Sequence, residues 1–156
     1  MIESRFETAA PEETRALGQR IAALVRPGDV VLLHGDLGAG KTTMVQGIGA
    51  GLGAREQAQS PTFSLVVDTP LPDETIMRHI DLYRLDDPHE LETLGFDDLI
   101  SDERAIVLVE WPERAADMLP DAYLLIELRP IGVDRREIAV RPVGLGNRFD
   151  GLRADR

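Results

Sequence analysis

The sequence predicts an α/β fold, a three-layer sandwich of helices about a mixed central sheet, and three observations carry that reading. An apolar run, Val30-Val31-Leu32-Leu33, passes directly into a glycine-rich turn and then a helix-compatible segment. A second apolar run, Ala105 to Val109, ends in the carboxylate of Glu110, the pattern of a strand buried on both faces. Two β-rich runs, residues 64–68 and 75–81, flank a turn rich in Pro and Asp; they read as a hairpin, so part of the sheet is antiparallel.

Taken in order, residues 2–7 form a short edge strand, and Thr8 caps a helix with Glu12 and Glu13 in its first turn and Leu17, Ile21, Leu24 and Val25 on one face. Pro27-Gly28-Asp29 stops that helix and leads into a strand over 30–34. A second helix runs from Lys41 to about Leu52, where Gly47, Gly49 and Gly51 imply close packing on the sheet rather than strong intrinsic helicity. Residues 88–100 make two short acidic helical pieces broken at Gly95. The strand over 105–110 follows, then a short helix from Pro112 to Met118 and a closing pair of strands over 123–129 and 137–142. Residues 1–143 read as one domain, and 144–156, with Gly144, Gly146 and Gly151, as a disordered tail.

Composition narrows the class. With 156 residues, 43% hydrophobic and 29% charged, the chain is long enough for one well-buried core. It has no cysteine, which removes disulfides, thiolate-bound zinc and thiol nucleophiles. The start, Met1 to Glu7, lacks the basic and apolar regions of a signal peptide, and no apolar stretch is long enough to span a bilayer, so a cytoplasmic protein without membrane contact is expected. A net charge of −11 opposes an unaided grip on nucleic acid, whose affinity for proteins comes largely from Lys and Arg. That acidity suits a protein that meets other proteins, or one merely kept soluble by charge.

The stretch Gly35-Asp36-Leu37-Gly38-Ala39-Gly40-Lys41-Thr42-Thr43 spells G-x-x-x-x-G-K-T between a strand and a helix, which makes the fold class P-loop NTPase-like. Its glycines let successive N–H groups turn inward around phosphate oxygens, and the helix that follows adds its positive end. Lys41 reaches the β- and γ-phosphates, and the Thr42 hydroxyl takes one position on Mg²⁺. Of 17 basic residues 16 are Arg, and the single Lys stands where a planar guanidinium would fit poorly. ATP with Mg²⁺ is the expected cofactor pair.

Two carboxylates compete for the second protein position on Mg²⁺. Glu110 ends the most apolar strand after the loop, as a Walker B acid does. Asp81 ends Ile76 to Ile80, a run interrupted by Arg78 and His79; it suits a less buried strand and a catalytic or supporting role. Ser60-Pro61-Thr62-Phe63 lies where many nucleotide switches carry a Thr that senses the γ-phosphate, and equally reads as a Ser-Pro turn with Phe63 packed inside. Trp111 is either core or a contact near the nucleotide. His34, His79 and His89 have no metal-ligand spacing and read as structural or surface groups. Asn147-Arg148-Phe149-Asp150 imitates a guanine-reading N-K-x-D, but it has Arg for Lys and follows no apolar strand, so a GTPase is excluded.

The phosphate loop, Ser60-Pro61-Thr62-Phe63, His79-Ile80-Asp81-Leu82-Tyr83-Arg84 and Val109-Glu110-Trp111-Pro112-Glu113-Arg114 together resemble the bacterial TsaE (YjeE) family over residues 5–130, in the family's order. The resemblance implies a small ATPase needed for N6-threonylcarbamoyladenosine beside the anticodon of tRNAs that read codons beginning with A. It implies the TsaB–TsaD complex as partner, with tRNA met only indirectly. It also implies Thr42 and Glu110 on Mg²⁺, with Asp81, Thr62 and Trp111 in the active region. A small-molecule kinase and a nucleotide-gated binding module with negligible turnover are the alternative classes.

Overall fold

The computed structural model describes residues 3–55 and 65–153. Its element order is β1 (Ser4–Thr8), α1 (Pro11–Ala22), β2 (Val30–His34), α2 (Lys41–Gly51), β3 (Val66–Pro70), β4 (Ile76–Asp81), α3 (His89–Leu94), α4 (Phe96–Ile100), β5 (Ala105–Glu110), β6 (Tyr123–Pro130) and β7 (Arg136–Val143). The seven strands form one mixed sheet in the order β1-β7-β6-β2-β5-β4-β3. At its centre β6, β2, β5 and β4 run parallel, and the antiparallel pairs β3–β4, β6–β7 and β1–β7 lie to the outside.

Alternation along the buried strands divides the core into two layers, because successive side chains of a strand leave opposite faces. Val31, Leu33, Ile106 and Leu108 point to the side where Leu17 and Ile21 of α1 and Met44 and Ile48 of α2 pack. Val30, Leu32, Val107 and Val109 point to the other, toward Leu91 and Phe96 of the acidic helices. Gly95, with φ 73°, ends α3 in the left-handed conformation and lets α4 begin at once.

Helix α2, which carries the phosphate loop, is seated against α1 more closely than any side chain would allow. A Cβ on Gly47 would stand 2.3 Å from the Arg15 carbonyl oxygen, and one on Gly51 2.6 Å from Ala22 Cβ. At these two positions the glycines serve the helix–helix contact, not the helix–sheet contact that their spacing suggested. The reason lies on both sides, since a Cβ on Gly18 of α1 would meet Ile48 N at 2.9 Å.

Four further expectations change. Ala10, not Thr8, precedes α1, and Thr8 belongs to β1, where its hydroxyl meets that of Thr14 at 2.8 Å. Residues 112–118 form 3₁₀ turns interrupted at Ala115 rather than an α-helix. β4 is buried despite Arg78 and His79, because both polar groups are partnered: Arg78 meets Asp68, Asp102 and the Leu99 carbonyl. Residues 144–153, expected as a loose tail, dock on the body. Phe149 and Leu152 are buried, and Arg148 clasps Asp29 with two hydrogen bonds of 2.9 and 2.7 Å. The guanine-motif imitation is thus spent on a structural ion pair. Among the described residues, no helix is long and apolar enough to cross a membrane.

Candidate functional site

Three adjacent parallel strands end together, and their ends make the site. β2 runs out into the phosphate loop, β4 into Asp81 and β5 into Glu110, and the pairing register sets Asp81 beside Glu110 and Glu110 beside Leu33. Ligands of open α/β sheets gather at such carboxyl ends, because there the loops diverge and the following helix presents its N–H groups. A cleft of about 350 Å³ lies here, lined by Leu37, Gly38, Gly40, Lys41, Thr42, Thr43, Asp81, Tyr83, Glu110, Trp111 and Arg136.

The loop's shape follows from its glycines. Gly38 and Gly40 take φ of 78° and 101°, values that strain residues with a side chain. Gly35 is needed for a different reason: a Cβ there would stand 2.7 Å from the Leu128 carbonyl oxygen of β6. Ala39 is buried, and its N–H closes the loop on the Asp36 carbonyl at 3.1 Å. Gly35 and Asp36 also line a neighbouring cavity of about 300 Å³. Gly40 precedes the first turn of α2, whose opening N–H groups have no partner within the helix.

Lys41 is 5% exposed. Its ammonium donates to the Gly35 carbonyl at 2.5 Å and stands 3.8 Å from the centre of the Trp111 ring. Burial lowers its pKa, and the carboxylates of Glu110, Asp81, Glu113 and Asp36 oppose that shift. Asp81 moves the other way from its ordinary value: burial raises its pKa and the Glu110 charge adds to the rise, while the Tyr83 N–H bonded to Oδ1 at 3.0 Å opposes it. Trp111 sits at φ 57°, ψ 49°, a left-handed conformation costing about 1–3 kcal/mol in a bulky residue. That turn directly after Glu110 places the indole over Lys41 and 5.1 Å from the Tyr83 ring.

Two residues were missed in the sequence. His79 is 1% exposed, and its Nε2 lies 2.5 Å from Glu110 Oε2 across the β4–β5 pair. This contact restricts the rotamer of the buried Glu110 carboxylate. Its signal was present: a histidine two residues before Asp81 in a parallel strand, a neighbour of β5. The other is Arg136, whose Nε and Nη2 donate to the Ala39 and Gly38 carbonyls at 3.0 and 3.1 Å. His34 instead pairs with Glu113 at the rim, at 2.8 Å, and His89 is exposed. Thr62, with Ser60, Pro61 and Phe63, lies outside the described residues.

The donor set suits a polyphosphate with a divalent ion: backbone N–H groups, the Lys41 ammonium, the threonine hydroxyls of Thr42 and Thr43, and the carboxylates of Asp81 and Glu110. Among the described residues no group of three or more His, Cys, Asp or Glu could hold a metal by itself. An ion bound here would need oxygens from a ligand or water, the manner in which Mg²⁺ is usually held at phosphates.

A family model for "Threonylcarbamoyl adenosine biosynthesis protein TsaE" matches residues 8–138. A tRNA threonylcarbamoyladenosine biosynthesis protein TsaE from Bacillus subtilis is 40% identical over 155 residues, covering 97% of this chain and 92% of that protein. The protein of the same description from Streptomyces coelicolor is 41% identical, covering 86% and 93%. Among solved structures, the crystal structure of YdiB from Bacillus subtilis aligns with a TM-score of 0.74 at 34% identity, over 97% of this chain and 91% of that one. Its likeness extends to the whole mixed α/β architecture.

Proposed function

The chain belongs to the TsaE family of tRNA threonylcarbamoyladenosine biosynthesis, and on that premise we propose that it is a Mg²⁺-dependent ATPase acting through the TsaB–TsaD complex. The observation that carries the reading is the meeting of Lys41, Thr42, Asp81 and Glu110 on one cleft at the ends of three parallel strands. When bound with ATP, Mg²⁺ supplies neutralisation of charge on the β- and γ-phosphates.

The residues divide the remaining work. The phosphate-loop N–H groups hold phosphate oxygens, and Lys41 exchanges the Gly35 carbonyl for the β- and γ-phosphates. Thr42 and Glu110 hold the ion, with His79 keeping the Glu110 carboxylate in place. Asp81 uses Oδ1 for the Tyr83 N–H, so Oδ2 is the oxygen left to orient a water toward the γ-phosphate. Trp111 and Tyr83 wall the cleft, and the low polarity they create strengthens each of these interactions. The acidic surface favours contact with the partner proteins over direct contact with tRNA.

Titration with ATP, and Mg²⁺-dependent hydrolysis with and without the TsaB–TsaD complex, test the reading. Lys41→Ala should remain folded and lose about tenfold to hundredfold in ATP affinity, the worth of one charge-assisted bond. Affinity equal to the parent would remove the loop assignment. Binding without turnover under either condition would leave a nucleotide-gated module, and a phosphorylated small-molecule product would point to a kinase.

A further inference from the structure

Arg136 opens β7 and reaches back across the fold to the phosphate loop. Its Nε donates to the Ala39 carbonyl at 3.0 Å and its Nη2 to the Gly38 carbonyl at 3.1 Å. Its Nη1 stands 2.9 Å from the Arg135 carbonyl and 3.2 Å from that of Val133, in the turn that joins β6 to β7. One planar guanidinium thus ties two consecutive loop carbonyls to the body, a geometry that the point charge of a lysine cannot reproduce.

A trans peptide unit directs its C=O and N–H to opposite sides. Donors fixed on the Gly38 and Ala39 carbonyls therefore also fix where the next N–H groups point: that of Ala39 at the Asp36 carbonyl, 3.1 Å away, and that of Gly40 on the side opposite the guanidinium. Gly40 most needs such control, because at φ 101° it has no side chain to restrict it, and a Cβ there would lie 3.6 Å from Arg136 Nε. We propose that Arg136 is a positioning residue: it holds the 38–39 peptide closed on Asp36 and the 39–40 peptide with its N–H turned to the phosphate site before the ligand arrives. The inference rests on the nucleotide reading of the cleft.

Without the clamp, those peptides must be ordered at the moment of binding, and affinity falls by that entropy. For one residue the loss is about tenfold. It applies to whatever places phosphates in the loop, whether or not an adenosine is attached.

The test compares the parent with Arg136→Met and Arg136→Lys in titrations with Mg²⁺–ADP and with inorganic tripolyphosphate, alongside melting temperatures. Amide NMR signals of Gly38, Ala39 and Gly40 are recorded in the ligand-free protein. The expected result is that Arg136→Met binds both ligands about tenfold more weakly, Arg136→Lys recovers part of the loss, and the three amide signals shift in the ligand-free variants. A guanidinium that merely touched the bound phosphate would weaken binding and leave the ligand-free signals in place, which would overturn the clamp. Unchanged affinity in Arg136→Met, with the parent binding normally, would overturn it as well. If Arg136→Met unfolds, Arg136→Lys is decisive through the same two readouts. Failure of the parent to bind either ligand would instead overturn the nucleotide reading, and the clamp's role with it.

Discussion

Replacing Gly47 with alanine tests whether α2 is seated on α1 as closely as the backbone positions indicate. The new methyl would stand 2.3, 2.8 and 2.9 Å from the carbonyl oxygen, Cα and carbonyl carbon of Arg15. These are backbone atoms of a neighbouring helix, so no side-chain rotation relieves the overlap, and the two helices must separate. Overpacking of this kind costs about 1–3 kcal/mol, and rigid partners put it near about 3. Against that, alanine favours the helix over glycine by about 1 kcal/mol. The clash wins, leaving a net loss of about 2 kcal/mol and a fall in melting temperature of about 4–8 °C for a chain of this size. Circular dichroism melts would read it, with Gly151→Ala, where a Cβ meets nothing within 4 Å, as the neutral control. A Gly47→Ala protein as stable as the parent would refute the close approach, because propensity alone would then govern.

Glu110→Gln should reduce Mg²⁺-dependent turnover at least about tenfold more than it reduces nucleotide affinity, since the loop N–H groups still hold the phosphates. Full activity in Glu110→Gln beside its loss in Asp81→Asn would exchange the roles of the two acids. Asp81→Asn should also raise the melting temperature of the ligand-free protein at neutral pH. The raised folded pKa of Asp81 means its charged form is penalised in the fold; that penalty is fully present above the folded pKa and disappears as pH falls through it toward 3.8, so the gain should vanish in acid. A gain that persists at pH 3 would refute burial of the charge as its cause. Arg148→Ala should cost about 2 kcal/mol by leaving Asp29 without its bidentate partner, and a melting temperature within error of the parent would show that the segment after β7 docks without it.

Much of this molecule could be read locally. The phosphate loop carries its own geometry in Gly38 and Gly40, and the unbroken apolar run before Glu110 marks a strand buried on both faces. What escaped was settled by partners distant in the chain. Arg78 and His79 made β4 look less buried than it is, because the groups that satisfy them, Asp68, Asp102 and Glu110, lie elsewhere in the chain. Arg148 looked like part of a loose tail because its partner, Asp29, is 119 residues away. Arg136 escaped in the same way, its loop contacts being 97 and 98 residues distant. The glycines of α2 were correctly read as a close contact, but their spacing does not say against what. A polar residue is read as exposed until its partner is found, and periodicity cannot find it.

The strand order also sets a timetable for folding during synthesis. β2, the strand that leads into the phosphate loop, pairs with neither of its neighbours in sequence; its partners are β5 and β6, residues 105–110 and 123–130. At ordinary elongation rates those partners leave the ribosome roughly 4–19 s after β2 does. Until then the most apolar early segment of the chain has no strand to pair with, and α1 and α2 have no complete sheet to cover. The first strand closes later still, on residues 136–140 of β7. The earliest motif in the chain is therefore among the last to take its working shape, and the nascent chain must keep Val30 to Leu33 from other partners in the meantime.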